Sequence, residues 1–216
     1  LSLLLFVAGQ FFFRAYIDGL VAIYALISLL IAYDFTNKFG EFNNFNLLIL
    51  FLNNLTLSLL KNEGIIILVL LLTILFFSLS MNEKRNRKII FVFLVSLVPA
   101  ITWFIYAHYL SNLYHVSEAN FSINSLYKRI NNFENFIMIL KYFFSQTKFI
   151  IGIIIFVLSI LLLKNNKGNI LIIYFNLVYL IVLILIYLST NADLEWHLSS
   201  SVSRISKPMI LSFYTF

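Results

Sequence analysis

The 216-residue chain is 62% hydrophobic and only 11% charged, far more apolar than soluble domains at roughly 45–50%, which excludes a soluble globule and leaves a polytopic membrane protein. Its formal net charge of +6 is read first as membrane topology, so no nucleic-acid partner is expected. With no cysteine and three histidines, disulfides, thiolate metal sites and CxxC redox chemistry are excluded.

The first apolar run, residues 1–13, stops at Arg14. A spanning helix needs about 20 residues, so this run reads as the trailing part of a longer segment, and the chain as a fragment whose beginning precedes Leu1. Apolar runs then occupy residues 17–33, 45–60, 64–81, 89–108, 149–163 and 170–189. Helices are expected, because an open sheet edge would leave unpaired backbone groups in lipid. The expectation is one all-α membrane domain over residues 1–216, with about six full transmembrane helices and one partial.

Charge sets the orientation. The loops NEKRNRK (82–88) and KNNKGN (164–169) carry the dense basic charge and are assigned to the cytoplasm. Alternation then puts residues 14–19, 61–64, 109–148 and the stretch from Thr190 onward on the extracytoplasmic side, where nearly all the unusual ionisable residues gather. The connection 109–148 is too long for a plain loop. Within it Leu126, Ile130, Phe133, Ile137, Leu140 and Phe144 recur three or four apart, which predicts one amphipathic helix in the membrane interface, with Lys128, Arg129, Asn132 and Lys141 on its other faces.

Three clusters on that side carry candidate chemistry. In RAYIDGL, Asp18 opens a helix, where a carboxylate complements the positive end of the helix dipole; a plain cap explains it as well as a site does. In LKNEG, Lys61, Asn62, Glu63 and Gly64 suit a helix-to-helix turn, while Lys61 is also placed to neutralise a phosphate that Glu63 helps orient. In ADLEWHLSSSVSRISKP, Trp196 suits an interface anchor, and His197 followed by Ser201 and Arg204 suits an anionic headgroup. No GxSxG, HExxH, Walker or GxGxxG pattern occurs, so neither a serine-hydrolase triad nor a zinc or nucleotide site is read, and no metal ligand is assigned.

Taken in order, YIDGLVAIYALISLLIAYDF (16–35), SLLKNEGIIILVLLL (58–72) and ADLEWHLSSSVSRI (192–205) resemble the helix start, the Thr-Lys-Asn-Glu-Gly-Leu turn and the Asp-Leu-x-Trp-His-Leu-x-x-Ser-x-x-Arg segment of the GT-C class. These are the bacterial multispanning glycosyltransferases of the protein-mannosyltransferase and dolichyl-phosphate-mannose type. The matching positions are Tyr16, Asp18, Gly19, Lys61, Asn62, Glu63, Gly64, Asp193, Trp196, His197, Leu198, Ser201 and Arg204. Ser58, Ser203 and Pro208 depart from the pattern.

The resemblance implies transfer of a sugar from a polyprenyl-phosphate-linked donor to a lipid-linked or cell-envelope glycan acceptor, on the outer face of a bacterial inner membrane. It implies Lys61 and Arg204 as phosphate contacts, with Glu63, His197 and Asp18 around the substrate, and Tyr16, Asn62, Trp196 and Ser201 in support. It also implies a catalytic acid in a first outer loop preceding Leu1, so the catalytic residue is unassigned here and activity is expected of the full-length enzyme. It names no certain cofactor and leaves room for a divalent cation. Two rivals stand beside this reading. A surface-polysaccharide polymerase or ligase would rely on His115 and Arg129, and a transporter or non-enzymatic membrane subunit would use polar residues such as Asn46, Asn53, Asn54 and Asn176.

Overall fold

The computed structural model describes residues 17–37, 44–78, 84–114, 123–162 and 167–215. Among these residues the chain is all-helical, in ten helices: α1 (Ile17–Asn37), α2 (Asn44–Leu60), α3 (Asn62–Ser78), α4 (Lys84–Tyr114), α5 (Ile123–Ile130), α6 (Phe133–Phe144), α7 (Thr147–Leu162), α8 (Lys167–Ser189), α9 (Leu194–Ile205) and α10 (Lys207–Thr215).

Among the described residues, three stretches are long and apolar enough to cross a membrane: Ile17–Asp34, Asn86–Trp103 and Asn169–Ser189. A fourth crossing arises if α6 and α7, bent by 82° at Ser145–Gln146, are one broken span. The helices α2 and α3 are apolar but shorter, at 17 residues each, about 25 Å at the α-helical rise. They fall just under the thickness of a hydrocarbon core, about 30 Å.

Helix α1 is the hub, packing on α2, α3, α8 and α10. Ala22, Ala25, Ser28 and Ala32 recur at helical spacing and are all buried. Small side chains let neighbouring backbones approach closely, which is the main source of helix association where lipid removes the hydrophobic drive between helices. Polar glue adds to it. Ser28 Oγ donates to Asn54 Oδ1 at 2.7 Å, and Asn53 Nδ2 donates to Ser28 Oγ at 2.6 Å and to the Tyr24 carbonyl at 3.0 Å. Ser58 donates to the Ser96 carbonyl at 3.0 Å, tying α2 to α4. Asn176 bonds the Ile172 carbonyl and accepts from Ser212 at 2.6 Å, tying α8 to α10. The asparagines of a transport reading, Asn53, Asn54 and Asn176, are thus engaged in packing the bundle.

Two expectations are corrected. The helix starting near residue 89 does not end at His108 but runs from Lys84 to Tyr114, 31 residues. The single interfacial helix of the 109–148 connection is two helices, α5 and α6. Asn132 caps the second, its side chain accepting from the Glu134 N–H at 3.0 Å. Asparagine competes with the helix for its own backbone and favours the cap. The break also divides the apolar stripe: Leu126 and Leu140 pack on the core, whereas Ile130, Phe133, Ile137 and Phe144 are exposed. Pro208, unexpectedly close behind Arg204, sits in the first turn of α10, where its missing N–H leaves no bond unmade.

Candidate functional site

The site lies at the end of the bundle where α1 begins, α2 gives way to α3, and α8 is followed by α9. Lys61 is the single residue between α2 and α3. Gly64 makes that junction possible: a Cβ there would overlap the Leu57 carbonyl oxygen, so only glycine lets the first turn of α3 press against the last turn of α2.

Four charges meet at this junction. The Lys61 ammonium donates to Asp18 Oδ1 at 2.7 Å and lies 3.0 Å from Glu63 Oε1. Arg204 Nη1 lies 3.9 Å from Asp18 Oδ2, an ion pair too long for a hydrogen bond. Asp18 is the most enclosed member, with 8% of its side chain exposed, against 25% for Glu63, 35% for Lys61 and 41% for Arg204. Two cations and two anions cancel, so the quartet is neutral as it stands, and Lys61 and Arg204 keep open sides. Burial works against the Lys61 charge, but its hydrogen bonds to Asp18 and Glu63 outweigh this and hold its pKa above the ordinary 10.5. The ammonium is firmly protonated at neutral pH.

Helix α9 supplies the third wall. Asp193 is its N-cap, accepting from the Trp196 N–H at 2.9 Å. His197, Ser201 and Arg204, at i, i+4 and i+7, share one face. Tyr187 on α8 holds that face: its hydroxyl is 2.9 Å from Ser201 Oγ, and its ring meets the His197 imidazole edge-on at 5.0 Å. Ser201 donates to the His197 carbonyl at 2.6 Å. His197 Nδ1 is buried with no hydrogen-bond partner among the described residues. Burial first, then the positive charges of Arg129 and Arg204, hold the His197 pKa below the ordinary 6.5, so the ring is neutral at pH 7.

The sequence-predicted residues therefore divide. Asp18, Lys61, Glu63 and Arg204 converge. His197 and Ser201 flank the quartet through Tyr187 without joining its ion pairs. Asn62 is exposed in the first turn of α3, Trp196 is 65% exposed, and Tyr16 and His115 lie outside the described residues. Asp18 stands in the first turn of α1, where the helix-start reading puts it, and its carboxylate also meets Lys61 and Arg204.

Sequence reasoning missed Tyr187 and gave Arg129 a different part. Arg129 donates to the carbonyls of Tyr187 at 3.0 Å and Ala192 at 2.6 Å, capping the end of α8. Ser125 adds a bond to Asn191 at 2.5 Å. Helix α5 is thereby fastened to the α8–α9 corner that carries His197.

Two cavities open beside the quartet. One, about 430 Å³, is lined by residues 58–63 with Ile65, Ile66, Ala100, Trp103 and Ile186. The other, about 790 Å³, is an apolar groove between α3 and α8, lined from Ile65 and Ile66 to Phe77 on one side and by Tyr174, Val178 and Val182 on the other. Ile65 and Ile66 border both. Among the described residues no cluster of three or more His, Asp or Glu side chains is placed to hold a metal. No protein-family model, curated protein or solved structure matches the chain.

Proposed function

We propose that this chain is the membrane-embedded part of a GT-C-type glycosyltransferase, taking a polyprenyl-phosphate-linked sugar and passing it to a lipid-linked or cell-envelope acceptor. The observation that carries the reading is the meeting of Asp18, Lys61, Glu63 and Arg204 in one quartet, brought from three motifs that the sequence keeps far apart. In this reading the apolar helices make about six crossings, with α5 and α6 lying on the extracytoplasmic surface of a bacterial inner membrane. The 82° bend supports that arrangement, since a crossing α7 puts α6 near the membrane plane.

The chemistry follows from charge. A phosphate entering the quartet exchanges the carboxylates for its own oxygens around Lys61 and Arg204, which then stabilise the negative charge developing on the departing phosphate. Asp18 and Glu63 keep both cations oriented before the donor arrives. Asp18, held in two ion pairs, orders the site, and no general base is assigned within this chain. His197 remains a neutral flank able to accept or donate one hydrogen bond to a headgroup.

Arg129 favours this reading over a polymerase or ligase that needs a free arginine, because its guanidinium is engaged by two backbone carbonyls. The test is transfer of radiolabel from a polyprenyl-phosphate hexose in membranes containing the protein. Transfer that Lys61→Met abolishes and Lys61→Arg partly retains supports the proposal. Absence of both transfer and donor binding refutes it and favours a non-enzymatic membrane subunit.

A further inference from the structure

The smaller cavity has two unlike walls. Lys61, Asn62 and Glu63 present charge and amide groups on one side, and Trp103 and Ala100 of α4 form the other. At about 430 Å³ it lies within the size range of small-ligand sites, roughly 300–1,000 Å³. A wholly apolar ligand would make no use of the polar wall, and a small anion would leave the indole idle. A ring with hydroxyls at its edge and C–H groups on its face matches both walls.

The wall that holds Trp103 is fixed in place. Ser58, itself part of the cavity lining, donates to the Ser96 carbonyl at 3.0 Å and sets the spacing of α2 and α4 one turn below. Ala100 is buried and small, leaving room between α4 and the junction. Trp103 keeps 63% of its surface exposed, with its ring centroid 6.0 Å from that of Tyr106 one turn on and tilted to it by 47°, so most of the indole is free to meet a ligand. Aromatic rings attract electropositive C–H groups on their faces. An interface anchor is the usual use of such a tryptophan, but an anchor has no need of a lysine and a carboxylate across the same cavity.

We propose that this cavity is a sugar-ring subsite, in which Trp103 stacks on the apolar face of a pyranose while Glu63 and Asn62 hydrogen-bond its hydroxyls. The inference rests on the glycosyltransferase reading and deepens it: Lys61 takes the phosphate, and the sugar it carries turns toward α4. Trp103 thereby becomes the residue that separates a loaded lipid carrier from an empty one.

The chain has two tryptophans, so Trp196→Phe leaves Trp103 as the only indole fluorophore. That protein, in lipid nanodiscs, is titrated with a short prenyl phosphate bearing one hexose and with the same prenyl phosphate bare. The expected result is a shift of Trp103 emission with the sugar-bearing ligand alone and binding tighter by on the order of tenfold, the size of one aromatic stacking contact. Trp103→Ala, followed by ligand-detected calorimetry, loses that preference while Trp103→Phe keeps most of it. Lys61→Met weakens both ligands alike. Equal binding of the two ligands to the unmodified protein, or a preference unchanged in Trp103→Ala, overturns the subsite and leaves the phosphate reading standing. Failure of either ligand to bind the folded protein removes the glycosyltransferase reading and the subsite with it.

Discussion

The Lys61 ammonium sits 2.7 Å from the Asp18 carboxylate, joining residues 43 positions apart, and this bond closes the junction of α2 and α3 onto the start of α1. Removing either partner strands the other. Lys61→Met or Asp18→Asn is expected to lower stability by about 1–2 kcal/mol, between the limits for exposed and fully buried pairs. The double variant is expected to lose less than the sum. A double-mutant cycle on thermal unfolding in detergent checks this, and strict additivity would remove the pair from the account of stability.

Gly64→Ala forces a methyl group into the Leu57 carbonyl. The junction must open, with a loss of about 1–3 kcal/mol as for an overpacked core. Because Lys61 and Glu63 flank the same turn, donor binding should fall as well. An alanine variant with unchanged melting temperature and binding would show that the turn has slack.

Lys61 and His197 act at opposite ends of the pH scale. His197 has its folded pKa depressed below 6.5, so its contribution is complete above that value and declines as pH falls through the folded pKa, where the unfolded chain binds the proton more readily. Lys61 has its folded pKa raised above 10.5, so its contribution is complete below that value and is lost as pH rises through the raised pKa. Melting temperature against pH should fall at both extremes. His197→Gln should flatten the acid limb, and Lys61→Met the alkaline one; limbs that survive these substitutions belong to other groups.

Arg129→Gln removes two charge-assisted bonds that hold α5 to the corner of α8 and α9. Faster amide exchange is expected over residues 187–197, with a stability loss of about 1–3 kcal/mol. It also takes a positive charge away from His197, whose pKa should rise toward its ordinary value. Imidazole titration by nuclear magnetic resonance reads this directly, and an unmoved titration would place Arg129 too far away to matter.

How much of this was legible in the sequence depended on the range of the interaction. The helix-to-helix turn at Lys61 and the helical character of the stretch before Thr147 were readable because their signals are local: Asn-Glu-Gly after a lysine, and hydrophobic residues three or four apart. The break at Asn132 was readable too, from paired asparagines inside an amphipathic stretch, but periodicity outweighed capping. Trp103 was hidden by its own segment, since an aromatic in an apolar run looks like packing until α2 is laid against α4. The engagement of Arg129 by the Tyr187 and Ala192 carbonyls could not be read at all, because backbone acceptors carry no residue identity. The same holds for Asp18, whose position announces a cap and whose partners are fixed only by the packing of α1 on α2 and α3.

The order of the quartet along the chain gives it a history during synthesis. Asp18, Lys61 and Glu63 are made before Arg204 and together carry one uncompensated negative charge until it arrives. The helices α1 to α3 therefore carry an acid excess at their shared end before α9 is made, and α9 is drawn to that end by the charge it completes. The later-made α9 thus has an address waiting for it.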